Sequence, residues 1–313
     1  GVVFATGTPI TNSIGDLYAM QQYLQSGDLE ILDIASFNAW IANFAELDSC
    51  FEISVDTTKF KISRRYSKFH NIPELSSILS SVIDFHRIDE KEDVPLFSGY
   101  RDIVLDSNDE FKEFLSDIST RADLIKKHTP RILKAETIFN EEIKDNMLVI
   151  TNDGRKAALD LRLVNPKATV DDNYKVKACA NKIYEIYNNT NSFKGTQLVF
   201  CDVSTPKSSF NIYTELKINL IMLGINPDEI EFIHNYESKK EREKLFKKVN
   251  KGEVRVLIGT TFKLGTGVNV QERLYAVHHI DVPWRPSDIE QREGRILRQG
   301  NQNEEVEIYR YVT

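Results

Sequence analysis

From Gly195 onward the chain alternates short apolar runs with amphipathic stretches, and this alternation limits the possible folds more than any other feature. Gln197–Cys201 (QLVFC) reads as a strand covered on both faces. Phe210–Leu223 places Ile212, Leu216, Leu220 and Leu223 on one helical face and stops at Gly224, a residue suited to a left-handed C-cap. Ile230–Ile233 predicts the next strand. Ser238 and Glu241 then predict a capping box, opening a helix that Gly252 closes. Val254–Ile258, Leu274–Ile280 and Val306–Val312 predict three further strands, with a glycine-rich loop across 259–269. Strands separated by helices of this length connect through right-handed crossovers, so the expected fold is α/β, a doubly wound and mostly parallel sheet. Ligands of such sheets bind beyond the carboxyl ends of the strands, where the glycine-rich loop and the segment after Ile280 must lie.

Residues 35–190 follow a different pattern. Ser107 and Glu110 predict a helix start ahead of the stripe Phe111, Phe114, Leu115, Ile118, Ala122 and Ile125; Val176, Ala180, Ile183 and Tyr187 form a second stripe. This region is expected to be mainly helical, with the acidic stretches Asp89–Asp93 and Asn140–Asp145 as solvated loops. The division expected from sequence is therefore 1–34, 35–190 and 191–313. Val2–Phe4 reads as an apolar strand that needs a partner, because an unpaired apolar edge invites association. A start inside such a run suggests a piece of a larger protein.

No run of about 18 apolar residues and no basic leader occurs, so neither a membrane span nor a secretory signal is expected, and the cytoplasm is the expected location. Cys50, Cys179 and Cys201 are widely spaced, outside any CxxC or Cys/His pattern, and read as reduced core residues without metal. The net charge of −7 argues against a protein that coats nucleic acid indiscriminately, yet leaves room for a local basic groove.

The segment Gln291–Arg298 (QREGRILR) carries the chemistry most worth weighing. Ser287 and Glu290 predict a capping box and a helix from Asp288, on which Arg295 and Arg298 share one face about a turn apart, able to meet a single anion. Gly294 in that helix would cost about 1 kcal/mol, tolerable where something must approach the backbone closely. Alone, the same residues are better read as a solvated basic face, since short patterns recur by chance. The glycine-rich stretch has the same ambiguity: residues without Cβ can aim backbone N–H groups at an anion, or merely make a tight turn.

Taken together, five segments in order resemble the motifs of superfamily-two helicases and translocases, most closely the Swi/Snf-type ATPases. ATGTPITN (Ala5–Asn12) resembles the motif ending the first lobe, QLVFC the first strand of the second, and Ile233–Val249 its arginine-containing helix. GTTFKLGTGVNVQ (Gly259–Gln271) and DVPWRPSDIEQREGRILRQGN (Asp281–Asn301) resemble its last motifs. RRYSKFHNIPEL (Arg64–Leu75), the stretch from Val277 to Asn301 and the closing YRYVT are further similar to DNA methyltransferase–helicase fusion proteins of phages, plasmids and conjugative elements.

The resemblance implies a RecA-like P-loop NTPase second lobe with a large mainly helical insertion, preceded by the tail of a first lobe. It implies catalytic roles for Gln291, Arg295 and Arg298, nucleotide contacts for Gly265, Gly267 and Asn269, and coupling of nucleotide to nucleic acid through Thr6, Gly7 and Thr8. Thr261, Lys263 and Lys207 are the implied contacts to a DNA backbone, gripped without sequence preference; Arg64, Arg65 and Lys68 are a weaker duplex candidate, and for the lysines a solvated role is equally open. His278 and His279 read as strand-edge residues and Trp284 as a packing anchor.

The chain contains neither GxxxxGK[ST] nor a DExx box, which hold the phosphates, magnesium and attacking water in this family. The expectation is thus half an ATP site, completed by an N-terminal ATPase lobe and with ATP and Mg²⁺ bound only in the full-length protein. Such a chain is inactive alone. The competing expectation is a relic that binds nucleic acid or protein on the same fold without chemistry. Translocation on duplex DNA is favoured over strand separation.

Overall fold

The computed structural model describes residues 2–5, 10, 13–53, 60–84, 94–127, 132–134, 142–169, 174–265 and 268–313, with the backbone alone for 50–53, 60–61, 132–134 and 142–144. The chain forms two compact units, Gly1–Glu90 with Arg285–Ser287, and Lys91–Trp284 with Asp288–Thr313.

In the first unit, helices α1 (Gly15–Leu24), α2 (Ser26–Ile31), α3 (Phe37–Phe44) and α4 (Ile72–Leu79) surround a small core. Trp40 is fully buried in it and donates its indole N–H to Gln21 Oε1 at 2.6 Å, so the large ring is covered without stranding its one polar atom. Strands β1 (Ala45–Ile53) and β2 (Phe60–Phe69) pair as an antiparallel ribbon. Arg64, Arg65 and Lys68 are exposed on β2, and Lys68 pairs with Asp48 at 3.0 Å. Val2, Val3 and Phe4 are exposed and form no strand.

The second unit begins with β3 (Leu96–Val104), followed by α5 (Asp109–Lys126), the short strands β4 (Ile132–Lys134) and β5 (Glu142–Lys144), then α6 (Met147–Leu159) and α7 (Lys175–Asn189). It continues with β6 (Thr196–Phe200), α8 (Ile212–Leu223), β7 (Ile230–Phe232), α9 (Lys239–Lys251), β8 (Val256–Gly259), α10 (Thr261–Gly265), β9 (Leu274–His279), α11 (Pro286–Glu293) and β10 (Glu305–Val312). Six of these strands form one sheet in the order β3-β10-β9-β6-β8-β7, every neighbouring pair parallel.

All five residues of β6 are buried, as expected for a central parallel strand. Val199 faces a core with α7 and α8, through Ile183, Leu216 and Leu220, whereas Leu198 and Phe200 face a second core with Leu245 and Val249 of α9. The predicted terminators work as read: Gly224 and Gly252 both adopt left-handed backbone, and Ser238 and Glu241 exchange the two hydrogen bonds of a capping box.

Several expectations change. The main sheet takes its edge strand from Leu96–Val104, inside the stretch expected to be mainly helical, and β1 and β2 also fall there. An edge strand shows one side and much of its faces to solvent, so its sequence lacks the apolar run that marks β6. In sequence the two compact units divide between Glu90 and Lys91. Helix α5 is capped by Asn108, which accepts from Phe111 N–H at 2.8 Å, rather than by Ser107. Asp145 is buried, not solvated: Arg121 donates to it twice, at 2.8 and 3.0 Å, and to Asp153 at 2.9 Å. Asp89–Asp93 lies outside the described residues. Helix α11 starts at Pro286, two residues before the expected start, and ends at Glu293, so Gly294 is not in a helix interior. His278 and His279 sit on β9, between β10 and β6, and are buried in the middle of the sheet rather than at its edge. Trp284 is 62% exposed with Arg155 over its ring at 4.4 Å, so it anchors no core. Cys179 and Cys201 are buried free thiols, as expected.

Candidate functional site

Three strands of the parallel sheet end side by side, and each hands a polar residue to the same point. Asp202 follows β6, Thr261 follows β8 and Asp281 follows β9; the side chain that joins them is Arg292, on the last turn of α11. Arg292 is fully buried. Its Nε donates to Thr261 Oγ1 at 2.8 Å, its Nη1 to the Asp281 carbonyl at 3.0 Å, and its Nη2 to Asp202 Oδ2 at 2.8 Å and Asp281 Oδ1 at 3.0 Å. The carboxylates are satisfied in turn. Thr261 donates its backbone N–H and its hydroxyl to Asp202, each at 2.7 Å, and the backbone N–H groups of Asp202 and Val203 donate to Asp281 Oδ2.

An arginine taken out of water this completely is tolerable only when its donors are matched, and the two carboxylates supply the countercharge. Burial pushes the Asp281 carboxyl above its ordinary range, with the Arg292 charge working against that shift. Phe200 lies under the guanidinium at 5.2 Å and stacks with His279, closing the network from below with apolar surface.

Beyond this hub lie the two arginines of the sequence motif. Because α11 has already ended, Arg295 and Arg298 leave a turn, not one helical face. They converge all the same: Arg295 Nη1 donates to the Val268 carbonyl at 3.1 Å and Arg298 Nη1 to the same carbonyl at 3.3 Å. Arg295 Nη2 also donates to the Gly265 carbonyl. Burial, followed by the nearby Arg298 charge, lowers the Arg295 pKa. Gly265 is buried against Gln291; a Cβ there would stand 3.2 Å from Gln291 Oε1. The glycine-rich segment is partly helical, as α10, and partly a loop whose carbonyls the arginines hold.

The remaining predicted residues distribute as follows. Thr6, Gly7, Thr8 and Gly267 lie outside the described residues. Thr261 is nearly buried with its hydroxyl bonded to Asp202 and Arg292. Lys263 and Asn269 line a cleft of about 660 Å³ beside α9, together with Lys239, Arg242 and Phe246. Lys207 is exposed on the loop from β6 to α8, apart from that cleft's lining. Among the described residues no cluster of three His, Cys, Asp or Glu side chains could hold a metal ion. No described helix is long and apolar enough to cross a membrane. Sequence reasoning missed Arg292 and Asp202 and marked Asp281 only as an acidic strand end. The available signal was the arginine directly after Gln291, inside the QREGRILR stretch and three residues before Arg295.

Comparison with known proteins agrees with this architecture. Residues 175–300 match the family model described as "Helicase conserved C-terminal domain", and residues 1–87 one described as "Probable helicase domain". No curated protein matches. Among solved structures, the C-terminal part of the Fun30 ATPase domain is 19% identical over 54% of this chain and 54% of its own, with a TM-score of 0.37. The DUF1998 helicase MrfA bound to DNA is 17% identical over 47% of this chain and 19% of its own, with a TM-score of 0.34. The chain therefore spans about half, or a fifth, of the length of these structures. The mostly parallel sheet with flanking helices is consistent with a RecA-like helicase C-terminal lobe, and residues 175–300 resemble such a helicase domain.

Proposed function

We propose that this chain supplies the C-terminal lobe of an ATP-dependent DNA translocase, in which Arg295 and Arg298 act on the γ-phosphate of an ATP held mainly by a partner lobe. The observation that carries this reading is the convergence of the two guanidiniums on one carbonyl oxygen, that of Val268. Donors that meet on one neutral acceptor are spaced to meet on an anionic one, and a phosphate oxygen accepts such bonds more strongly than a carbonyl. ATP, with its magnesium, supplies the phosphoryl group and its developing charge. Arg295 and Arg298 offset that charge, a role worth about 10³ to 10⁵ in rate where arginine fingers serve related chemistry. Gln291 sits over Gly265 at the same spot, and Gly265, Gly267 and Asn269 are the nucleotide contacts that the sequence resemblance supports.

Lys263 and Lys207 belong to the DNA side; Thr261, expected there too, is nearly buried with its hydroxyl taken up by Asp202 and Arg292. The Lys263 cleft also presents Lys239, Arg242 and Lys247 against Glu237 and Glu243, a positive excess that supports backbone phosphates as ligand, with salt-sensitive and sequence-tolerant binding. The two sides are joined through Thr261, whose hydroxyl is fixed by Arg292 one position after Gln291. Thr6, Gly7 and Thr8 complete the coupling from the first lobe. The sequence resemblance further favours a methyltransferase–helicase fusion of a mobile element as the parent protein; in the reading frame upstream, GxxxxGKT and a DExx box test the motor against the relic, and a DNA methyltransferase region tests the fusion.

DNA-stimulated ATP hydrolysis and triplex displacement by the protein carrying both lobes test the function. Hydrolysis and displacement without unwinding of a forked duplex are expected, with none from residues 1–313 alone. Hydrolysis by the isolated chain overturns the half-site reading, and DNA binding without hydrolysis by the two-lobe protein leaves the non-catalytic relic.

A further inference from the structure

The turn that carries Arg295 and Arg298 is held in part at Glu293, alongside the bonds from Arg295 N–H to the Arg292 carbonyl and from Arg298 N–H to the Ile296 carbonyl. The Glu293 backbone carbonyl accepts from the N–H groups of Ile296 and Leu297, each at 3.0 Å, so Glu293 helps set the path of the chain between the two arginines. Its side chain is nearly buried and is tied to a distant part of the sequence: Tyr100 on the edge strand β3 donates its hydroxyl to Glu293 Oε2 at 3.0 Å. Tyr100 is itself braced. Arg310 of β10 lies over its ring at 4.0 Å and is fixed by two bonds to Asp102 of β3, at 2.6 and 2.8 Å. The other carboxylate oxygen, Glu293 Oε1, has no hydrogen-bond partner and lies 3.5 Å from His279 Nε2, which also has none. Among the described residues the Tyr100 hydroxyl thus makes the one hydrogen bond within 3.0 Å to this carboxylate, with His279 at 3.5 Å from its other oxygen.

We propose that Tyr100 and Glu293 form a positioning clamp through which the edge strand β3 sets the placement of Arg295 and Arg298. The inference rests on the reading above that these arginines serve ATP hydrolysis. Geometry supports it over a purely structural role. Tyr100 is 43% exposed, so little apolar area depends on it, and its ring packs on Phe97 whether or not the hydroxyl is present. What the hydroxyl adds is direction: it fixes the carboxylate at the point where α11 ends and the arginine turn begins. Desolvation, and then the bond to Glu293, hold the Tyr100 pKa above its ordinary value, so the phenol keeps the proton that makes the bond. Strand β3 pairs with β10 in parallel over most of its length, giving the clamp a rigid base.

The clamp is a positioning device because Tyr100 bonds to Glu293, whereas the donors at the Val268 carbonyl are Arg295 and Arg298. A displaced catalytic group loses rate steeply, about a hundredfold for roughly 1 Å. Removing the hydroxyl should therefore lower kcat while leaving the KM for ATP unchanged.

The test uses the protein carrying both lobes, with DNA-stimulated ATP hydrolysis and thermal unfolding measured on wild type, Tyr100→Phe, Glu293→Gln, Glu293→Ala, Tyr100→Phe/Glu293→Ala and Arg298→Ala. Tyr100→Phe and Glu293→Ala are expected to reduce kcat by about tenfold to a hundredfold, with unchanged KM. Glu293→Gln, which keeps an acceptor for the phenol, is expected to stay within about twofold of wild type, on the view that one neutral bond replaces one charged bond. The double variant is expected to fall no further than the worse single one, since both remove the same link. Wild-type kcat in Tyr100→Phe, or additive losses in the double variant, overturns the clamp. If kcat falls only in proportion to lost folded protein, the clamp is also overturned. Arg298→Ala separates the two ideas: if it keeps full activity, the arginine reading fails; if it is dead while Tyr100→Phe is normal, only the clamp fails.

Discussion

Replacing Arg292 with alanine tests the buried hub directly. The substitution leaves Asp202 and Asp281 facing each other without their shared cation, and Thr261 Oγ1 without its donor. Breaking a buried ion pair from one side costs about 3–5 kcal/mol, because the remaining charge stays out of water unpaired. The lower part of that range applies if Asp281 can escape by taking up a proton. Its carboxyl is already pushed upward by burial and is held down by the Arg292 charge. Without that charge its pKa rises further. A carboxyl whose folded pKa exceeds the unfolded value, about 3.9, binds more protons when folded. Its stabilising contribution is complete at low pH and is lost as pH rises toward the folded value. The deficit of Arg292→Ala relative to wild type, measured by urea unfolding of the C-terminal unit's signal, should therefore be about 4 kcal/mol at pH 7 and smaller at pH 5. The expected recovery is about 1.4 kcal/mol per pH unit within that window. A deficit under about 1 kcal/mol at pH 7, or one that grows on acidification, would refute the charge-pairing argument.

Gly265→Ala places a methyl group 3.2 Å from Gln291 Oε1, the end of a flexible side chain that can yield by a few tenths of an ångström. Stability should change by less than about 1 kcal/mol, while DNA-stimulated ATP turnover of the two-lobe protein falls several-fold; unchanged turnover would remove Gln291 from the site. His278 lies between Tyr311 Oη at 2.8 Å and Gln197 Oε1 at 2.9 Å, and burial pushes its pKa down to about 3. A histidine with a depressed folded pKa withdraws stability as pH falls below its unfolded value of about 6.5. Between there and the folded value it removes about 1.4 kcal/mol per pH unit. NMR of the ring nitrogens should show one fixed neutral tautomer from pH 7 to pH 5, and a protonation shift within that range would contradict the buried bridge.

The alternation from Gly195 onward was legible because a parallel sheet covered on both faces needs continuous apolar strands, and QLVFC of β6 is such a strand. Its terminators were legible for local reasons: Gly224, Gly252 and the Ser238–Glu241 box act within a few residues of themselves. Strand β3 escaped notice because its identity is set by pairing with β10, about 200 residues away, and its exposed faces impose no apolar pattern. Sequence separation also hid Tyr100 with Glu293, 193 residues apart, and Arg121 with Asp145, 24 residues apart. The arginine segment was half legible. Arg295 and Arg298 do meet at one acceptor, as the spacing suggested, yet by a turn after Glu293 rather than along a helix. Arg292 reads as one more charged helix residue until three strand ends bring Asp202, Thr261 and Asp281 around it.

The central claim is that Arg298, together with Arg295, stabilises charge on a γ-phosphate rather than merely bracing the loop at Val268. Single-turnover ATP hydrolysis by the DNA-bound two-lobe protein, comparing wild type with Arg298→Ala, tests it most directly. The account predicts a chemical step slowed by about 10³-fold or more with the ATP dissociation constant changed only modestly. A variant that hydrolyses bound ATP at the wild-type rate would contradict it.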